Sequence, residues 1–452
     1  MTQTPAHMSG HLTPVPDEID AADLPVTGTL PPELTGRYVR NGPNPPPGRP
    51  SDHWFLGHGM LHGVRLRDGR AEWYRNRWVR TRYLAGQPET RADGTLDLSV
   101  VTANTHVIGH AGRMLALEEG GLPYEVTPEL DTVGPHDFAG RLTTAMTAHP
   151  KQDPVTGELH FFGYGMTPPY LTYHRLDASG ELAHSREITV PGATMMHDFA
   201  ITEHHVVWLD LPLTFRPELV GKTMPYQWDD AYGARLGVMR HDRPDAPVRW
   251  FDVDPCYVFH VGDAHEDAHG RIVLNAVRYA RSDFTAMWGT AGDTDDPAGP
   301  AAAAAASPAA AVLHRWTLDP ATGVAKEEAL DDRSVEFPTL DDERVGRGAR
   351  FLYAVTGPEL VKYDLSSGQV TGHALPPSTV TGEAVFVPAT SGPRREDDGW
   401  LISITTTLDG SASQLLVLDA ADVAAGPVAA VELPRGVPAG FHGTWFPDDP
   451  TS

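Results

Sequence analysis

The chain has 452 residues, 40% of them apolar, with 44 glycines, 41 prolines and a formal net charge of −25. That apolar content supports a large core, while the negative charge argues against nucleic acid or an anionic membrane surface as a partner. Cys256 is the single cysteine, so an intrachain disulfide is excluded and a reducing, cytoplasmic setting is expected.

Residues 1–20 are polar and proline-bearing, with neither the basic stretch nor the apolar core of a secretory signal. They read as a flexible segment ahead of one domain over 21–452. No run of about 18 apolar residues follows, so no membrane span is expected. Residues 36–47 (GRYVRNGPNPPP) read as a strand entering a proline-locked turn. From residue 64 a weak repeat begins: an apolar strand, a turn built on Asp, Gly or Pro, and a second strand. Copies lie at 64–70, 172–190, 237–253, 313–330, 361–375 and 415–433, with a degenerate one at 114–130. Hairpins of this kind occur in any all-β protein, but six or seven in one chain point to a β-propeller. Two stretches break the pattern. Residues 211–230 are too proline-rich for a blade strand and are expected to cap one face. Residues 293–311 (DTDDPAGPAAAAAASPAAA) are low-complexity and read as a surface loop.

Polar residues interrupt the apolar strands at a comparable spacing. Thr105, His149, His197, His260, Glu336, Glu383 and His442 follow one another at intervals of 44 to 76 residues. The innermost strands of a propeller face a common axis, so inward histidines from four blades would meet there. Four neutral imidazoles suit Fe(II), Cu or Zn better than Mg or Ca, which take oxygen ligands. Each ligating imidazole needs its second nitrogen fixed by an acceptor. Glu119, Glu336 and Glu383 lie in apolar surroundings, where an unpaired carboxylate is costly. His58, His62, His106, His110, His204, His205, His265 and His269 are expected to be structural or solvated. The stretch His265-Glu266-Asp267-Ala268-His269 matches a zinc-protease signature in letters, but Gly262 and Gly270 bracket too short a segment for the helix that signature needs.

Taken in order, GRYVRNGPNP, WFLGHGMLHG, TAHPK, MMHDFAIT, FHVGDAHED, EFPTLD, GEAVFVP and GFHGTW resemble the carotenoid cleavage oxygenase family, which includes bacterial stilbene-cleaving dioxygenases. The resemblance spans nearly the whole chain. It implies a seven-bladed propeller with one axial Fe(II) held by His149, His197, His260 and His442. It also implies supporting carboxylates at Glu119, Glu336 and Glu383, and Thr105 crowding one vacant iron position. The implied reaction is cleavage of an alkene C=C bond by O2 into two carbonyl products, with no nicotinamide or flavin. Glu118 stands where phenol-binding stilbene enzymes carry a lysine, which opens the substrate to apocarotenoids or other phenylpropenoids. Phe55, Tyr83, Tyr164 and Phe337, with Phe162 and Tyr257, are the expected lining of the substrate site. The alternatives are cleavage of full-length carotenoids, a metal-dependent hydrolase or lactonase propeller, and a non-catalytic binding scaffold. A monomer or weak homo-oligomer without stable membrane association is expected.

Overall fold

The computed structural model describes residues 5–448, apart from 223, 244, 292–310, 358 and 391–393. Seven antiparallel sheets carry most of the chain, and a separate two-stranded ribbon lies outside them. Each of the seven repeat copies falls on one hairpin, one hairpin per sheet. The turn chemistry explains the repeat signature. Asp177, Asp319, Asp364 and Asp419 each accept, through Oδ1, the backbone N–H two residues on at 2.8–3.0 Å. At Asp68-Gly69 both residues have positive φ, 49° and 72°. That is the two-residue turn whose twist matches antiparallel strands.

The blades are numbered here by their innermost strands: His106–His110, Lys151–Gln152, Ala200–Ile201, Tyr257–Glu266, Glu336–Thr339, Val385–Pro388 and Gly443–Pro447. The inner strands of blades three, four and five touch in succession, as do those of blades six, seven and one. Blade seven closes the ring, because the C-terminal strand Gly443–Pro447 pairs with Gly36–Pro43 near the chain's start. Two further N-terminal strands add to outer edges. Val26–Gly28 pairs with Pro427–Glu432, and Asp20–Ala22 with Arg70–Trp78. Between blades the faces are filled by large apolar side chains such as Trp208, Trp316, Phe161 and Phe199. Burying each phenylalanine contributes roughly 1.5–3 kcal/mol.

Residues 5–20 depart from the flexible segment expected. His7, His11, Leu12 and Val15 are buried. The Val15 backbone N–H and C=O are both bonded by the Asn44 side chain, at 2.8 and 3.0 Å. Two short turns of 3₁₀ helix, Ala6–Met8 and Gly10–Leu12, let a polar sequence satisfy its backbone while burying those side chains.

Residues 211–230 form the ribbon outside the blades, Leu213–Phe215 paired with Tyr226–Trp228. The single α-helix among the described residues, Arg281–Ala291, packs beside it. Phe284 lies 5.8 Å from the Trp228 ring, and Arg281 pairs with Asp230 at 2.7 Å. Sequence periodicity did not point to this helix. The loop expected over 293–311 lies outside the described residues, save Ala311.

Candidate metal centre

Seven of the polar residues occupy equivalent places. Thr105, His149, His197, Glu383 and His442 lie one to three residues ahead of the innermost strands of their blades, Glu336 opens its strand, and His260 is the fourth residue of its own. Local irregularity aims two of them. The pairing of Tyr257–Glu266 shifts register between Val258 and Val261 and again before Asp263, and such bulges release a side chain from strict alternation. A second shift follows Glu336, where Phe337 has φ 52°. A bulky residue in that region costs about 1–3 kcal/mol. Here it lets the Phe337 N–H donate to Glu336 Oε2 at 2.8 Å.

Ring nitrogens of His149, His197 and His260 lie within 4.8 Å of one another. His149 Nε2 and His197 Nε2 are 2.9 Å apart. The His442 ring joins them, its centroid 4.6 Å from His149 and 4.8 Å from His260. Behind the cluster, three histidines donate from Nδ1 to a carboxylate: His197 to Glu119 at 2.9 Å, His260 to Glu336 at 2.6 Å and His442 to Glu383 at 3.0 Å. A hydrogen on Nδ1 leaves the lone pair on Nε2. This donor set fits a divalent transition-metal ion, and it offers Mg or Ca none of the oxygens they prefer.

The electrostatics agree. Burial, reinforced by the neighbouring imidazoles, holds the His149 pKa well below the usual value and keeps the ring neutral. Burial also lowers His442. For His197 burial acts in the same direction, but Glu119 outweighs it and the pKa rises. Burial alone would raise Glu336 and Glu383; their histidine partners reverse this and keep both carboxylates ionised.

Thr105 sits at the head of blade one. Its hydroxyl donates to Asn104 Oδ1 at 3.0 Å, and Asn104 Nδ2 in turn donates to the Phe55 and Gly57 carbonyls at 2.8 and 2.7 Å. Phe337 stacks on His260, with centroids 5.2 Å apart, and lies 5.5 Å from His442. Phe55 belongs to an aromatic group with Trp54, Phe259, Trp288 and Phe441, and Phe259 meets the His197 ring edge-on at 5.3 Å. Tyr257 packs on Phe259, and its hydroxyl donates to the Met195 carbonyl at 2.9 Å. Tyr164 packs near Tyr226, with Glu119 and Glu118 among its charged neighbours. Burial and the adjacent Glu119 push Glu118 up to about 7.

Two of the aromatic residues stand elsewhere. Tyr83 packs on the His58 ring at 4.9 Å, and its charged neighbours are Glu89, Arg49 and Asp52. None of its described contacts reaches the cluster. Phe162 is wholly buried against Phe199 and Trp208. His265 and Glu266 close a strand and His269 lies in the turn that follows, so the zinc-protease letters have no helix. Their intervening Glu266 bonds His204 and His205 instead.

Two residues were missed. The Tyr279 hydroxyl donates to Glu336 Oε1 at 2.6 Å. Asp198 is buried beside His197; it accepts the Val261 N–H at 2.8 Å and pairs with Lys151 at 2.7 Å, tying blades two, three and four together. Asp198 carried the same signal as the glutamates, a carboxylate in an apolar run. Tyr279, one of the chain's 13 tyrosines, lies on the second strand of its blade and carried none.

The family profile described as retinal pigment epithelial membrane protein matches residues 12–447. A carotenoid cleavage oxygenase of Mycobacterium tuberculosis is 38% identical, over 98% of this chain and 97% of its own length. The chain belongs to the carotenoid cleavage oxygenase family. An isoeugenol monooxygenase of Pseudomonas nitroreducens is 30% identical, over 97% of each chain. The crystal structure of a Pseudomonas brassicacearum lignostilbene dioxygenase superimposes with a TM-score of 0.86 at 29% identity, over 98% of this chain and 99% of the other.

In this family member the Tyr279 bond has a testable weight. Tyr279→Phe removes one hydrogen bond to an ionised carboxylate and leaves the Glu336–His260 pair intact. Metal affinity should fall by up to about tenfold, the mild end of the range for groups behind a ligand. Chelator competition measures this; unchanged affinity would mean that Tyr279 only packs.

Proposed function

We propose that the chain is a non-haem Fe(II) dioxygenase that cleaves the C=C bond of an aromatic alkene or a shortened apocarotenoid with O2. The observation that carries this reading is the axial convergence of four imidazoles, three of them braced by carboxylates. His149, His197, His260 and His442 would hold the ion. A bound ferrous ion would supply the O2 chemistry that no side chain can, giving two carbonyl fragments.

The protein's own work is then positional. Nδ1 hydrogens stay on His197, His260 and His442 because Glu119, Glu336 and Glu383 accept them. Phe337, Phe259 and Phe55 supply apolar, aromatic surface that can hold an alkene beside the cluster and keep water from it. Thr105, fixed through Asn104, narrows the space over the histidines. A calcium-dependent hydrolase would need oxygen ligands where these imidazoles stand.

Substrate polarity is set around Glu118. A 4-hydroxystilbene carries a phenol on one ring, and Glu118 offers no positive charge to stabilise its oxygen as a lysine would. Glu118→Lys should raise kcat/KM toward 4-hydroxystilbenes by roughly tenfold, the value of one charge-assisted hydrogen bond, with iron content unchanged. Equal turnover of every phenolic alkene would remove Glu118 from the substrate wall.

No helix among the described residues is long and apolar enough to cross a membrane. The charge of −25 opposes docking on anionic lipid. We propose a cytoplasmic enzyme, a monomer or weak homo-oligomer, that takes its substrate from water. Mass spectrometry of products from stilbenes, phenylpropenes, apocarotenals and β-carotene under 18O2 tests this. Paired carbonyl fragments from the smaller alkenes are expected, whereas cleavage confined to liposome-embedded β-carotene would overturn the substrate assignment.

A further inference from the structure

The two sides of the histidine cluster differ in chemistry. On the cap side stand the aromatic rings of Phe337, Phe259, Phe55 and Trp288. On the other side a cavity of about 1240 Å³ runs along the axis, walled by inner-strand residues of all seven blades. His149, His260 and His442 line its deep end, and Arg67, Asp68 and Asp448 its outer mouth. Arg67 and Asp68 are exposed, so the shaft opens to solvent at the rim away from the cluster. An inner strand of five residues sets its length at roughly 17 Å.

The wall of this shaft is acidic. It holds nine carboxylates against two cationic side chains, Arg67 and Lys151. Several are neutralised locally: Asp198 by Lys151, Asp341 and Glu343 by Arg394, and Asp448 by Arg65, while Glu383 accepts the Nδ1 hydrogen of His442. Glu33, Asp68 and Asp342 make no ion pair among the described residues. Asp342 is open to the shaft yet hemmed in by protein; burial, with Asp341 and Glu383 nearby, pushes it up to about 6. Unpaired carboxylates thus stand at the mouth, at Asp68, and further in, at Asp342.

We propose that the axial shaft is the loading route for the metal, drawing a hydrated divalent cation from the outer rim to His149, His260 and His442, while the alkene uses the aromatic side. This rests on the histidine cluster being the metal site. An acidic wall has no effect on neutral O2 and repels an apolar alkene, but it concentrates a dication, and clefts of one charge sign raise on-rates by about 10–1000-fold.

Metal-free protein, prepared by chelation, is mixed with Co2+ at low ionic strength, and uptake is followed by absorbance in a stopped-flow instrument. Asp342→Lys should slow uptake at least about tenfold, with the deficit shrinking as salt rises. Final cobalt content, final spectrum and Tm should match the parent. Asp68→Asn at the mouth should slow uptake at least twofold and serves if Asp342→Lys misfolds. The matched reversal on the cap, Asp230→Lys, should leave the rate unchanged. Parent-like uptake in both shaft variants, or slowing by Asp230→Lys alone, would overturn the route while leaving the metal site standing. Failure of the parent to bind cobalt would overturn the metal site itself, and the route with it.

Discussion

His197→Ala should abolish both metal binding and alkene cleavage. The His197 ring lies 4.5 Å from His149 and 5.3 Å from His260, centroid to centroid. Removing it opens one side of the cluster and strands Glu119, whose Oε2 accepts the His197 Nδ1 hydrogen. A buried carboxylate without its partner is costly in its own right. Turnover should drop by at least about 1000-fold, as follows when several kcal/mol of metal-dependent stabilisation is lost. Elemental analysis should find little iron in the variant. Full iron and parent-like turnover would remove His197 from the ligand set, whatever its place in the ring.

Glu336→Gln tests the carboxylates behind the histidines. The substitution keeps the size of the side chain but replaces an anion by a neutral amide, so His260 Nδ1 loses its charged acceptor. With the amide oxygen kept toward His260 and the Phe337 N–H (2.8 Å), the amide NH2 replaces the oxygen that accepts from the Tyr279 hydroxyl at 2.6 Å, and that bond can survive only with Tyr279 as acceptor. Metal affinity or rate should weaken by roughly 10–100-fold. Glu336→Asp, which retains the charge on a shorter arm, should recover part of the loss. Isothermal titration with metal separates affinity from rate. A Glu336→Gln variant with parent affinity and parent turnover would mean that Tyr257–Glu266 alone orients His260.

Much of this site was legible in the residues because each ligand candidate broke an apolar strand at blade spacing. His149, His197, His260 and His442 stand out for that reason, and the propeller supplies the axis on which they meet. Glu119, Glu336 and Glu383 drew notice as lone carboxylates in apolar company, and the family resemblance supplied their place behind the histidines. What stayed hidden depends on contacts made across the fold. Tyr279 is an ordinary strand tyrosine until the bulged pairing of its strand turns its hydroxyl toward Glu336. The positive φ of Phe337 has no sequence signal, since the residue type argues against it. Tyr83 was expected to line the substrate site, yet it packs beside His58 and away from the axis. Residues 5–20 look solvated by composition; their packing depends on Asn44 and on Asn76, whose Oδ1 accepts the Ile19 N–H at 2.9 Å. The helix Arg281–Ala291 has too weak an amphipathic pattern to be read in advance.

The most direct measurement is metal analysis combined with X-ray absorption on protein purified without added metal. The account predicts iron as the dominant metal, near one per chain, with the multiple-scattering signature of several imidazoles. Zinc or calcium as the resident ion, or iron surrounded mainly by oxygen, would contradict it.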